Sequence, residues 1–110
     1  MNNGVTRFFR DDQGTPFPYT SRSTGLLASD TAVKATPGIL VDVVVYTDGT
    51  NDATVIIYDN ASAASGTELA KIVVLAADMM GGEVNIMCAA TNGIYMEISG
   101  TNAKALVRFA

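Results

Sequence analysis

Ile39-Leu40-Val41-Asp42-Val43-Val44-Val45-Tyr46-Thr47 is the most strongly β-forming run in the chain, dominated by β-branched residues with one polar member, Asp42. Simple alternation places Ile39, Val41, Val43 and Val45 on one face and Leu40, Val44 and Tyr46 on the other. A strand that is apolar on both sides is expected to have both sides covered. One face then meets the core. The other meets the N-terminal segment, a neighbouring subunit or a loop, and the first two are preferred.

Shorter runs of the same kind follow on either side. Residues 31–36 form a weak strand signal closed by Pro37-Gly38, and residues 53–59 follow the turn Asp48-Gly49-Thr50-Asn51-Asp52, read as a hairpin. Residues 60–67 (NASAASGT) are small and polar, as in a mobile loop. Residues 71–75 form another strand, and residues 78–82 turn the chain. Residues 83–89, 94–99 and 103–109 complete the set, joined by Asn92-Gly93 and Gly100-Thr101-Asn102. Ile94, Met96 and Ile98 alternate with Tyr95, Glu97 and Ser99, and Val84, Ile86 and Cys88 alternate with Glu83, Asn85 and Met87, the pattern of half-buried strands. Residues 67–72 and 76–80 contain helix formers, but in runs too short to stand alone. The expectation is an all-β fold: an antiparallel β-sandwich of about seven strands, jelly-roll or immunoglobulin-like, over residues 26–110.

Composition narrows the function. The 110 residues suit one domain. Only 16% of residues are charged against 48% hydrophobic, which suggests that a partner covers some surface. Residues 26–110 carry four basic and nine acidic side chains, a balance of −5 that argues against nucleic acid. The absence of histidine removes the usual general base and the commonest metal ligand. No phosphate-binding, dinucleotide-binding or zinc motif appears, and the acids are scattered, so neither enzymatic activity nor a cofactor is expected. Asp48 to Asp52 hold oxygen donors suited to Ca2+, yet lack the spacing of an EF-hand loop, and the same residues are ordinary turn formers. Asn60-Ala61-Ser62 matches a glycosylation sequon by chance. The single Cys88 reads as a small buried hydrophobe rather than a reactive thiol. Met1-Asn2-Asn3-Gly4 lacks the basic and apolar regions of a secretory leader, and no run approaches the ~20 apolar residues of a membrane-crossing helix, so no membrane contact is expected.

Residues 1–25 are of a different kind and read as an extended arm. They hold four of the eight aromatics, two of the three prolines and three of the seven basic residues. Arg7-Phe8-Phe9-Arg10 sets two aromatics between arginines, and Thr15-Pro16-Phe17-Pro18-Tyr19 alternates proline with aromatics, which favours extended backbone. Burying four aromatics contributes roughly 6–12 kcal/mol, whereas ordering the arm's backbone costs roughly 25–50 kcal/mol. Contacts beyond its own aromatics are therefore needed to fix it. The candidate partner-binding residues are Arg7, Phe8, Phe9, Arg10, Phe17, Tyr19 and Arg22.

Residues 47–60 (TDGTNDATVIIYDN), the small-residue loop ending Ser65-Gly66-Thr67, Asn92-Gly93-Ile94-Tyr95 and residues 98–103 (ISGTNA) together resemble a group of small β-sandwich proteins. These are encoded among the virion structural genes of tailed bacteriophages. The resemblance covers residues 36–110 and not the arm. It implies a virion component made in the host cytoplasm. The first choice is a capsid cement (decoration) protein that binds the major capsid protein on the shell surface. Such a protein is expected to be a homo-oligomer, trimer before dimer, with arm aromatics as anchors and arm arginines paired to acidic groups. A head-tail accessory is another role of this group. The alternative from a different class is a receptor- or carbohydrate-binding module of a tail or head fibre.

Overall fold

The computed structural model describes residues 21–110. Among these residues nine strands run in chain order: β1 (Arg22–Ser23), β2 (Thr31–Lys34), β3 (Gly38–Tyr46), β4 (Ala53–Tyr58), β5 (Glu68–Val74), β6 (Met80–Glu83), β7 (Cys88–Ala90), β8 (Ile94–Ser99) and β9 (Lys104–Phe109). A 3-10 turn, Ala76–Asp78, separates β5 from β6. All pairings are antiparallel.

The pairings describe one long hairpin rolled up on itself. Its tip is the loop between β4 and β5, which pair with each other. Outward from the tip, β3 pairs with β6 and β7, β2 with β8, and β1 with β9. Rolling then brings β9 beside β3 and β8 beside β4. One sheet has the order β1-β9-β3-β6, with β7 also on β3, and the other the order β2-β8-β4-β5. β6 and β7 contact successive parts of β3, so they behave as one interrupted strand. Counted that way, the two sheets have four strands each in jelly-roll order, and the immunoglobulin-like arrangement is excluded.

The core lies between the sheets. Leu40, Val43 and Val45 of β3, with Ala105 and Val107 of β9, face Val55 and Ile57 of β4, Ile72 and Val74 of β5, and Ile94 and Met96 of β8, all buried. Each large aliphatic side chain removed from water contributes roughly 1.5–3 kcal/mol.

Four sequence expectations need correction. First, strict alternation along β3 fails. The register against β9 slips between Leu40 and Asp42, so Leu40 shares the core face with Val43 and Val45. A bulge inserts one residue and reverses the inward parity beyond it. Second, residues 48–52 do not make a hairpin, because β3 and β4 belong to different sheets. Asn92-Gly93 and Gly100-Thr101-Asn102 also carry the chain between sheets. Turn residues report that the chain reverses, not which sheet receives the next strand. Third, residues 83–89 are not one alternating strand. Asn85 and Met87 adopt left-handed backbone (φ 56° and 50°), β6 ends at Glu83, and Val84 is 69% exposed. Fourth, the segment 78–82 read as a turn contains the start of β6.

Other segments gained structure. Glu68, Leu69 and Ala70, good helix formers, extend β5, where pairing with β4 outweighs propensity. Within the arm as read from the sequence, Arg22–Ser23 pairs with Arg108 and Phe109, and Thr24 N–H donates to Val107 O at 3.0 Å. The loop after β4 is tied by Asn60. Its amide nitrogen donates to Ser65 O at 3.1 Å, and its oxygen accepts from the N–H groups of Ser62 and Ala63 at 2.9 and 3.0 Å. The expected mobile loop is thus anchored at its base, and the sequon asparagine does the anchoring.

Candidate interaction surface

One side of the sandwich is unfinished. β5 ends the order of one sheet and β6 the other, so among the described residues neither has a strand on its far side. Along this side Val73, Leu75, Met79, Met80, Val84 and Met87 are all between 48% and 69% exposed. Scattered exposed apolar residues are ordinary, but six in or beside the two edge strands mark this side as a candidate contact surface.

Local sequence explains the row. Met79 closes the 3-10 turn in a left-handed conformation (φ 65°), its carbonyl accepting the Thr47 N–H at 2.8 Å, which aims β6 back along β3. Gly81 and Gly82 follow in β6 opposite Val45 and Val44. A Cβ on Gly82 would lie 2.1 Å from the Val43 carbonyl oxygen, so only glycine fits. With no side chains at these positions, Val44, Met80 and Val84 surround an apolar hollow of about 240 Å³ on the outer face of β3 and β6. A second hollow, of about 280 Å³ and more polar, opens toward β5 beside Lys71, Asp78 and Glu83. Val44 and Tyr46, the residues of β3 expected to need covering, are half-buried on that outer face. The sequence reading missed Met79-Met80-Gly81-Gly82. Its available signal was a pair of glycines inside an apolar run, which marks close backbone approach as readily as a turn.

The expected arm residues Arg7, Phe8, Phe9, Arg10, Phe17 and Tyr19 lie outside the described residues. Arg22 is exposed in β1, on the edge opposite β6. Cys88 is half-buried in β7 rather than fully enclosed.

The carboxylates serve the loops that join the sheets. Asp48 accepts the N–H groups of Thr50 and Asn51, both at 2.8 Å, and the side-chain amides of Asn51 and Asn102 at 3.0 and 3.1 Å. Asp52 accepts the Ala76 N–H at 2.8 Å. The oxygens considered for Ca2+ are therefore engaged by N–H donors that clamp residues 48–52 to the β8–β9 connection and the 3-10 turn. Asp59 likewise accepts the Asn92 N–H at 2.7 Å and the Thr91 hydroxyl at 2.8 Å, fastening the end of β4 to the β7–β8 turn.

These donors hold both carboxyls below their ordinary value: backbone N–H groups of Thr50 and Asn51 first for Asp48, and the Asn92 N–H first for Asp59. A depressed folded-state pKa contributes stability that is present above the unfolded value and lost as pH falls through the folded one. Melting temperature is therefore expected to hold level from pH 7 to about pH 5 and to fall below about pH 4, near the unfolded aspartate value. Calorimetry across that range should show a shallower acid limb for Asp48→Asn. An unchanged limb would remove Asp48 from the explanation.

On the outer face of the second sheet, Tyr58 and Tyr95 are directly opposed, and the Tyr58 hydroxyl donates to Glu97 Oε1 at 3.2 Å. Desolvation, followed by the charge of Glu97, raises the Tyr58 pKa above its ordinary value. Among the described residues no group of three or more histidine, cysteine or carboxylate side chains could hold a metal ion, and no helix is long and apolar enough to cross a membrane. No family model, curated protein or solved structure matches the chain.

Proposed function

We propose that the chain is a structural protein of a tailed-phage virion, a capsid cement protein that binds the major capsid protein and stabilises the shell. The observation that carries this reading is the row of exposed apolar residues along the open β5–β6 edge. A jelly roll with such an edge, and an arm rich in aromatics and arginine, has the means to adhere to another protein at two places. Binding to the assembled shell and not to its free subunits stabilises the shell by mass action, with no chemistry needed. A homo-oligomer, trimer before dimer, fits the same surface. Arg7, Phe8, Phe9, Arg10, Phe17, Tyr19 and Arg22 are the proposed grip of the arm.

The test is co-sedimentation with undecorated shells assembled from the tailed-phage major capsid protein that this reading assigns as the partner. Because residues 22–24 belong to the sandwich edge, the informative truncation removes residues 2–20 and leaves β1 intact. The truncated chain is expected to bind at least tenfold more weakly. Equal binding would sink the role given to the arm.

The second reading, a carbohydrate-binding module of a fibre, draws on the opposed Tyr58 and Tyr95 beside Glu97 on the outer face of the second sheet. Tyrosine rings next to a carboxylate can stack on and hydrogen-bond to a sugar. Glycan-array binding that Tyr95→Ala abolishes would favour it over shell binding.

A further inference from the structure

The two hollows beside β6 differ in chemistry and share one strand. The outer one is walled by Val44, Met80 and Val84, and the one toward β5 is bordered by Asp78 and Glu83 with Lys71. Between them runs the far backbone edge of β6, without a partner strand among the described residues. An occupant suited to this place is an extended segment with an aromatic side chain on one face and a cation on the other. It would add to the sheet by main-chain hydrogen bonds.

We infer that Arg7-Phe8-Phe9-Arg10 of this chain is that occupant, seated as an added edge strand along β6. In an extended strand successive side chains point to opposite faces. If Phe8 enters the outer hollow, Arg7 points toward Asp78 and Glu83. If Phe9 enters, Arg10 does. Either register pairs one phenylalanine with the apolar hollow and one arginine with the acidic side. The three exposed methionines on the row, Met79, Met80 and Met87, are adaptable neighbours for an aromatic ring.

Length selects this segment over the other aromatics of the arm. The described chain begins beside β1, at the Phe109 end of β9. From there an added strand beyond β6 lies four strand spacings across the sheet, about 19 Å, and about four residues along β3, roughly 13 Å, for a span of roughly 23 Å. Phe17 and Tyr19 are four and two residues from Ser21 and reach at most about 14 Å. Arg10 is eleven residues away and reaches about 36 Å, so residues 7–10 span the distance with slack. Seating them leaves Phe17 and Tyr19 free for another surface. The inference concerns the free protein and does not depend on the shell-binding reading; on the shell, residues 7–10 and the β6 edge would exchange this contact for contacts with the shell.

Hydrogen–deuterium exchange on the full-length free protein tests it. In a Phe8→Ser/Phe9→Ser variant the Met80–Glu83 amides are expected to exchange at least tenfold faster, with β4 and β8 unchanged. Val84→Asp, on the receiving side and exposed enough to leave the core intact, is expected to release the same amides. Phe17→Ser/Tyr19→Ser is expected to leave them unaltered. Protection independent of protein concentration supports seating by the chain's own segment, and protection that rises with concentration overturns it, since the reach from Ser21 constrains only the same chain. Equal exchange in wild type and Phe8→Ser/Phe9→Ser, or equal release by Phe17→Ser/Tyr19→Ser, overturns it.

Discussion

Replacing Arg108 by alanine is expected to lower the unfolding free energy by roughly 3–5 kcal/mol, the range for breaking a buried ion pair from one side. At about 4 °C per kcal/mol for a domain of this size, the melting temperature should fall by roughly 10–20 °C. The reason is an asymmetry in burial. The Asp42 side chain is 5% exposed and the Arg108 side chain 51% exposed. Arg108 Nε donates to Asp42 Oδ2 at 2.9 Å, its Nη2 donates to the same oxygen, and the Asn85 N–H donates to Oδ1 at 2.7 Å. Without the guanidinium, a carboxylate 5% exposed keeps a single protein donor, and water reaches it only through the space the side chain vacates. Without the carboxylate, the guanidinium turns to solvent, and the main loss is the acceptor for Asn85, roughly 1–3 kcal/mol. Arg108→Ala should therefore destabilise more than Asp42→Ala, and the double variant less than Arg108→Ala alone. Calorimetry on the three variants checks the order. If Asp42→Ala proves the worst, burial asymmetry does not govern the pair.

The same aspartate shows why alternation was a poor guide along β3. Asp42 looked like the lone polar residue of an otherwise apolar strand. It is instead the residue beyond a bulge, binding across to β9 and to the left-handed Asn85 where β6 and β7 are interrupted. Only long-range partners create that need, and no local pattern encodes them. By contrast, Ile94, Met96, Val55 and Ile57 alternate with polar or half-exposed neighbours, and their strands stand where the sequence put them. The β-sandwich was legible because the inner faces of β4 and β8 keep a period of two. Strand order was not, since Gly-Asn-Asp turns look alike whether they close a hairpin or cross between sheets. The candidate surface was half legible. The apolar second face of β3 pointed to missing cover at Val44 and Tyr46, but the wall supplied by Met80 and Val84 was hidden in a segment that reads as a turn.

That wall depends on Gly82, and Gly82→Ala is expected to cost at least about 3 kcal/mol, the upper end for overpacking, because main chain rather than a side chain stands in the way. The added methyl would sit 2.1 Å from the Val43 carbonyl oxygen and 3.0 Å from the Val44 Cα, so β3 and β6 must part. Gly81→Ala meets the Val74 Cγ2 at 2.8 Å instead. A valine side chain can turn or shift, and about 1–2 kcal/mol is expected. Gly25→Ala meets nothing within 4 Å and pays only for a left-handed backbone at φ 73°, about 1 kcal/mol. Denaturant unfolding of the three variants should rank them in that order. Gly82→Ala should also release the β6 amides to exchange before the rest of the sandwich, because parting β3 from β6 opens the unfinished edge and leaves β9 on the other side of β3. A Gly82→Ala protein as stable as Gly25→Ala would mean that β6 does not lie against β3 in this register, and the hollow beside Val44 would lose its wall.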